Sequence, residues 1–130
     1  MSPTARSLQL LRARGYTANV VEKWNQYARI RQDLFGIIDI VAMKRGENGL
    51  LGVQATTGEN VSHRAHKALE NPSLELWLDT GNRFQVWGFA KQGARGKRKI
   101  WTLRRLQFEV TGGGLVNCLP MPSVEENAAV

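Results

Sequence analysis

Apolar positions along the chain fall into short runs set off by polar and glycine-containing stretches, and each run has its own period. Leu8, Leu10 and Leu11 form a stripe behind Ser2-Pro3, an N-cap with proline at the first helical position. Gly15 is a stop, so a short amphipathic helix packed on a sheet is predicted here. Tyr16 to Trp24 alternates and is rich in β-formers, which predicts a first strand, followed by a polar connection over Asn25 to Gln32. Phe35 to Met43 predicts a second strand and Leu50 to Thr56 a third. The two pair as a hairpin through Lys44–Gly49, where Gly46 and Asn48-Gly49 tolerate positive φ. The third run is apolar almost throughout, the mark of a strand covered on both faces and therefore central.

Val61 to Glu70 predicts a helix closed by Asn71-Pro72. Leu74 to Leu78 and Arg83 to Ala90 predict two further strands about the turn Asp79–Asn82, and each holds a tryptophan, Trp77 and Trp87. Gln92 to Lys99 is a basic, glycine-containing loop, and Ile100 to Val110 an edge strand. From Gly112 onward three glycines and two prolines predict a loosely held tail. The expected architecture is α/β, a mixed central β-sheet flanked by helices in the order αβββαββ with a further edge strand. Residues 1–111 are expected to form one domain and 112–130 the tail.

Composition narrows the partners. The 130 residues suffice for one domain with a proper core. A net charge of +7 favours a polyanion, most often nucleic acid, although an anionic membrane surface would also suit it. The single cysteine, Cys118, excludes an internal disulfide and a multi-cysteine zinc site. With no signal-type leader and no apolar run near the ~20 residues of a membrane span, a cytoplasmic protein is expected.

Candidate chemistry lies in the second and third strands. Asp39 heads the run Ile40-Val41-Ala42, where a carboxylate is costly unless it binds something. Gln54 stands mid-strand in the neighbouring arm with an amide oxygen to offer. The carbonyl of Ala55 is the next oxygen, and Glu22 could add a carboxylate from the first strand. Oxygen ligands of this kind suit Mg²⁺, or Mn²⁺ in its place. A divalent ion neutralises a phosphodiester and lowers the pKa of the attacking water.

These residues resemble the PD-(D/E)XK nuclease superfamily, nearest to its archaeal Holliday-junction-resolvase-like members and the related phage and VRR-NUC enzymes. The likeness covers about residues 5–90: a helix, a strand with Glu22, the strand Asp39-Ile-Val-Ala42, a turn, and Val53-Gln-Ala-Thr56 before a basic helix. It implies a restriction-endonuclease-like core in which Asp39 matches the motif aspartate. Gln54 falls at the second acid, Thr56 at the lysine, and Glu22 at the early acidic residue. Threonine cannot position water or offset developing charge as lysine does. A replacement amine could come from Lys67, which shares a helix face with Arg64. Asp33, in the same loop-to-strand entry as Asp39, is a further ligand or supporting group.

The resemblance thus implies a metal-dependent DNA endonuclease, selective for branched or junction-containing DNA, acting as a homodimer because symmetric cutting of two strands needs two sites. The family pattern also suits a phage-encoded enzyme working in the host cytoplasm. Arg29, Arg31, Arg64, Lys67, Lys91, Arg95, Lys97, Arg98 and Lys99 are the expected nucleic-acid contacts, the glycine-containing loop being suited to tracking phosphates. Plainer readings stand beside each of these. Asp39 also reads as a cap before a strand, Gln54 as a partner for a backbone group, and Thr56 as an ordinary strand residue. Glu22 also reads as a solvent-facing residue, and the basic loop as a solubility feature. His63 and His66 are expected on the surface, and Trp77, Trp87 and Trp101 in the core or an interface. The alternative function is a catalytically inactive nuclease-fold DNA-binding protein. A third reading is a small basic partner of another nuclease or of a polymerase-associated complex.

Overall fold

A computed structural model describes residues 1–125. The chain runs α1 (Pro3–Ala13), β1 (Thr17–Val20), β2 (Lys23–Asn25), β3 (Ile30–Gln32), β4 (Ile40–Met43) and β5 (Leu51–Thr57). A 3₁₀ turn over Gly58–Asn60 then leads into α2 (Val61–Glu70), α3 (Pro72–Asp79), β6 (Arg83–Gln92), β7 (Ile100–Val110), β8 (Val116–Pro120) and β9 (Val124–Glu125). The main sheet has the order β1-β4-β5-β6-β7-β8, with β9 also on β7; β2 and β3 form a separate two-stranded ribbon. Among the described residues only β5 and β6 pair in parallel, and their crossover carries α2 and α3. This is the mixed α/β architecture, a mixed sheet flanked by helices, that the apolar runs imply.

Alternation along the central strands builds two cores. Leu51 and Val53 of β5 and Trp87 and Phe89 of β6 meet Leu10 and Leu11 of α1 on one face. Phe84 and Val86 meet Val61, Ala65, Leu74 and Trp77 of α2 and α3 on the other. The close approach on this second face depends on Gly88, where an added Cβ would lie 2.1 Å from Cγ2 of the fully buried Val61. Gly88→Ala must therefore push α2 off β6. It is expected to cost about 1–3 kcal/mol, read as a melting temperature several degrees lower; an unchanged melt would show that the helix start yields freely.

The hairpin turn between β4 and β5 forms as expected, with Gly46 at φ 90° and Gly49 at φ 73°. At Gly49 a Cβ would also strike the Gly81 carbonyl oxygen. Four expectations need correction. The predicted first strand stops at Val20, and Lys23–Asn25 turns away to pair with Ile30–Gln32, within the stretch expected to be a polar connection. The second strand begins only at Ile40, because Leu34–Ile38 closes a tight loop with Phe35 at φ 54° and Gly36 at φ 80°. Leu74–Leu78 is helical: the Asn71 side chain caps the Ser73 N–H at 2.8 Å, Pro72 starts the turn, and Leu74, Trp77 and Leu78 are buried at helical spacing. Lastly, β7 is not an edge, since β8 and β9 pair along it; the segment expected to be a loose tail is part of the sheet through Glu125, and its remainder lies outside the described residues.

Candidate functional site

The register of β4 and β5 creates the site. Ile40, Val41 and Ala42 pair with Val53, Gly52 and Leu51, and there the ladder ends, while β5 continues beside β6 as far as Thr57. Asp39 stands where the two strands part. Its backbone N–H still donates to the Val53 carbonyl at 2.9 Å, and its carboxylate accepts the Ala55 N–H at 2.8 Å in place of a lost ladder bond. Backbone N–H and C=O of one strand residue point the same way, so the Ala55 carbonyl faces this edge too. Gln54 and Thr56 share one face of β5, the face covered by α2 and α3, and both are buried.

Two further carboxylates reach the same point. The ribbon pairs Lys23 with Gln32 and Trp24 with Arg31, and one more step of that register sets Glu22 opposite Asp33 at its base. Ligand oxygens of Glu22, Asp33 and Asp39 lie within 4.8 Å of one another. Asp33 accepts from the Gln54 amide nitrogen at 3.3 Å, and Glu22 holds Arg31 at 3.1 Å. Gln54 is 4 % exposed, and its amide oxygen has no hydrogen-bond partner among the described residues. Such a group is expensive to leave unsatisfied and implies a cation or water beside it.

Electrostatics agree with the crowding. Burial, above all, and then a hydrogen bond with Asp33 push the Asp39 carboxyl up to about 8; the Ala55 N–H opposes this, and the charges of Asp33 and Glu22 add to it. Asp39 therefore keeps its proton through neutral pH. A divalent cation bound to oxygens would take the place of that proton, and three carboxylates with an amide oxygen form a hard donor set of the kind Mg²⁺ and Mn²⁺ accept.

The structure also brings the expected amines near. Arg64 and Lys67 line one cleft of about 430 Å³ with Gln54, Gly36 and Asn71. Asn71 fixes that wall by donating its amide to the Phe35 carbonyl at 2.9 Å. Thr56 lies two residues along β5 from Gln54, opposite Gly88. Residues 93–99 form an exposed loop beyond the end of β6, braced by Lys99 Nζ donating to the Gly93 carbonyl at 3.2 Å, so Arg95, Lys97 and Arg98 project there. Lys91 instead lies over the Trp101 ring, 5.4 Å from its centre, with the Arg6 guanidinium at 3.7 Å. Arg29 is exposed at the ribbon turn with φ 55°. His63 and His66 are exposed, His66 paired with Glu70, and Trp77 and Trp87 are buried.

Strand directions place most of these groups together. The C-terminal ends of β1, β5 and β6 and the start of β4 lie at one end of the sheet, so the acid cluster, the ribbon and the basic loop share that end. The sequence reading missed Gly36 and Asn71 as cleft walls and the ribbon as an element; Asn71-Pro72 was the one local signal for either. Comparison of the chain with family models, with curated proteins and with solved structures finds no match. Among the described residues no helix is long and apolar enough to cross a membrane.

Proposed function

We propose that this protein is a metal-dependent DNA endonuclease of the PD-(D/E)XK type, selective for branched DNA. The observation that carries the reading is the unpartnered, buried Gln54 oxygen beside the converged carboxylates of Glu22, Asp33 and Asp39. Asp39, Asp33 and Glu22 would hold Mg²⁺ or Mn²⁺ together with the Gln54 amide oxygen and the Ala55 carbonyl. When bound, the ion supplies charge neutralisation at the phosphate and a lowered pKa for the attacking water.

The chain's own residues supply the rest. Asp39 is fixed by the Ala55 N–H, and Asp33 by the Gln54 amide, so the donor oxygens are held before substrate arrives. Lys67 and Arg64 line the cleft that opens on Gln54 and offer charge to the scissile phosphate from the α2 side. Arg95, Lys97 and Arg98 follow the backbone further out, contacts that read shape rather than sequence.

One observation favours the catalytically inactive DNA-binding alternative: Thr56 is buried at the lysine position and brings no amine. Labelled four-way junction, flap and linear duplex DNA, incubated with Mg²⁺ or Mn²⁺ and with EDTA, separate the two. Metal-dependent cutting, strongest on the branched substrates, is the expected result. Binding of all three without cutting under either metal would leave the DNA-binding protein.

A further inference from the structure

The β2–β3 ribbon is an exposed arm that buries almost nothing. A two-stranded ribbon gains little stability of its own, yet this one carries Trp24 at 61 % and Tyr27 at 92 % exposure. Its turn is organised rather than slack, because the Asn25 carboxamide oxygen accepts from the N–H groups of both Tyr27 and Ala28 at 3.0 Å. Exposed aromatics on a built scaffold mark a binding surface. The surrounding charges define its partner: Lys23, Arg29 and Arg31 are all exposed on the arm.

The register then ties the arm to the acid cluster. Opposed residues of an antiparallel pair share a face, so Trp24 and Arg31 stand on the face that carries Glu22 and Asp33 at its base. Two residues along a strand advance about 6.7 Å. A phosphate seated at the carboxylates would therefore have its neighbouring nucleotide over Arg31 and Trp24. Aromatic faces interleaved with basic side chains are the surface that holds unpaired bases, which stack without regard to sequence. Within a continuous duplex each base face is already stacked on its neighbours.

We infer that the arm is a stacking platform for unpaired nucleotides, with Trp24 and Tyr27 holding the bases and Arg31 and Arg29 the backbone, so that the strand delivered to the acid cluster is locally single-stranded. Delivery to the acid cluster rests on the nuclease reading; the binding preference stands on the arm alone. It assigns flaps, gaps and open junction centres as the substrate class over continuous duplex.

The test is the affinity of the full chain for a fluorescent oligo(dT) and for a blunt duplex of equal length, by anisotropy at one fixed salt concentration in EDTA. Trp24→Ala with Tyr27→Ala should weaken oligo(dT) binding at least tenfold, the scale of one stacked base, and duplex binding no more than about twofold, the scale of a rim contact. Trp24→Phe, which keeps an aromatic face, should restore most of the loss at that position. Equal loss on both DNAs, or none on either, overturns the platform. Because no cutting is required, the readouts separate: selective loss of oligo(dT) binding in a protein that cuts nothing removes the nuclease and keeps the platform. Asp39-dependent cutting with unchanged binding by the arm variants does the reverse.

Discussion

Asp39→Ala is expected to lower metal-dependent cleavage by at least about a thousandfold, since it removes a central ligand of an ion that contributes several kcal/mol to the transition state. DNA affinity should stay within about threefold, because the phosphate contacts lie on other residues. Alanine also strands the Ala55 N–H, which Asp39 satisfies at 2.8 Å, so structural loss has to be told from chemical loss. Asp39→Asn does this: its carboxamide oxygen can still accept from Ala55, but the negative charge is gone. A carboxylate serving only as a cap would leave Asp39→Asn cutting at near the parental rate. Single-turnover cleavage of the best substrate, with circular dichroism as a folding check, decides it, and residual activity within tenfold of the parent for Asp39→Asn would end the assignment of Asp39 as a ligand.

How much of this was legible in the sequence follows from the length of each signal. The run Leu50–Thr56 reads as a central strand because its apolar residues, broken only by Gln54 before Thr56, do not alternate with solvent-facing ones, and the strand forms at Leu51–Thr57. Asp39 and Gln54 stood out against that background for the same reason: a polar side chain in a buried run has to be satisfied by something. Leu74–Leu78 misled because Leu74, Leu76 and Leu78 alternate like a strand, while the contacts that matter are Leu74, Trp77 and Leu78 under a proline-capped first turn. Short runs of this kind satisfy both periods, and only the cap at Asn71-Pro72 distinguishes them.

The ribbon was hidden for a different reason. Its strands are three residues each, nearly all exposed, so no apolar period marks them. With the ribbon unseen, the meeting of Glu22 and Asp33 could not be derived, since it depends on a register eleven residues apart in sequence. Glu22 and Asp33 read from the sequence as ligand candidates beside Asp39, and the fold gives the reason: the ribbon base sets them face to face and the parting of β4 from β5 sets Asp39 beneath. The β8 strand was obscured by Gly112–Gly114 and by prolines 120 and 122, which read as loop but are also compatible with a sheet edge.

Without metal, the melting temperature of this protein is expected to fall between about pH 4 and about pH 8, and Mn²⁺ or Mg²⁺ to reverse the fall. The sign follows from Asp39, whose carboxyl titrates from the usual 3.8 when exposed to about 8 when folded. Below the lower value both states hold the proton, and the native state keeps the full benefit of burying the carboxyl uncharged, with its hydrogen bond to Asp33 second. Between the two values the unfolded chain has ionised and the folded one has not, so each rise in pH favours unfolding; above about 8 the benefit is gone. A fall of at least about 5 °C is expected for a shift of this size in a chain of this length. A divalent ion needs the carboxylates ionised, so it binds against the proton at low pH and freely at high pH. Millimolar Mn²⁺ should therefore raise the melting temperature more at pH 8.5 than at pH 5.5, through its preference for the folded state. Other groups titrate across the same range, so the decisive quantity is the difference between the parent and Asp39→Asn, in which both the slope and the metal response should flatten. Parallel melting curves for the two proteins, with no metal response in either, would show that the three carboxylates meet without serving an ion.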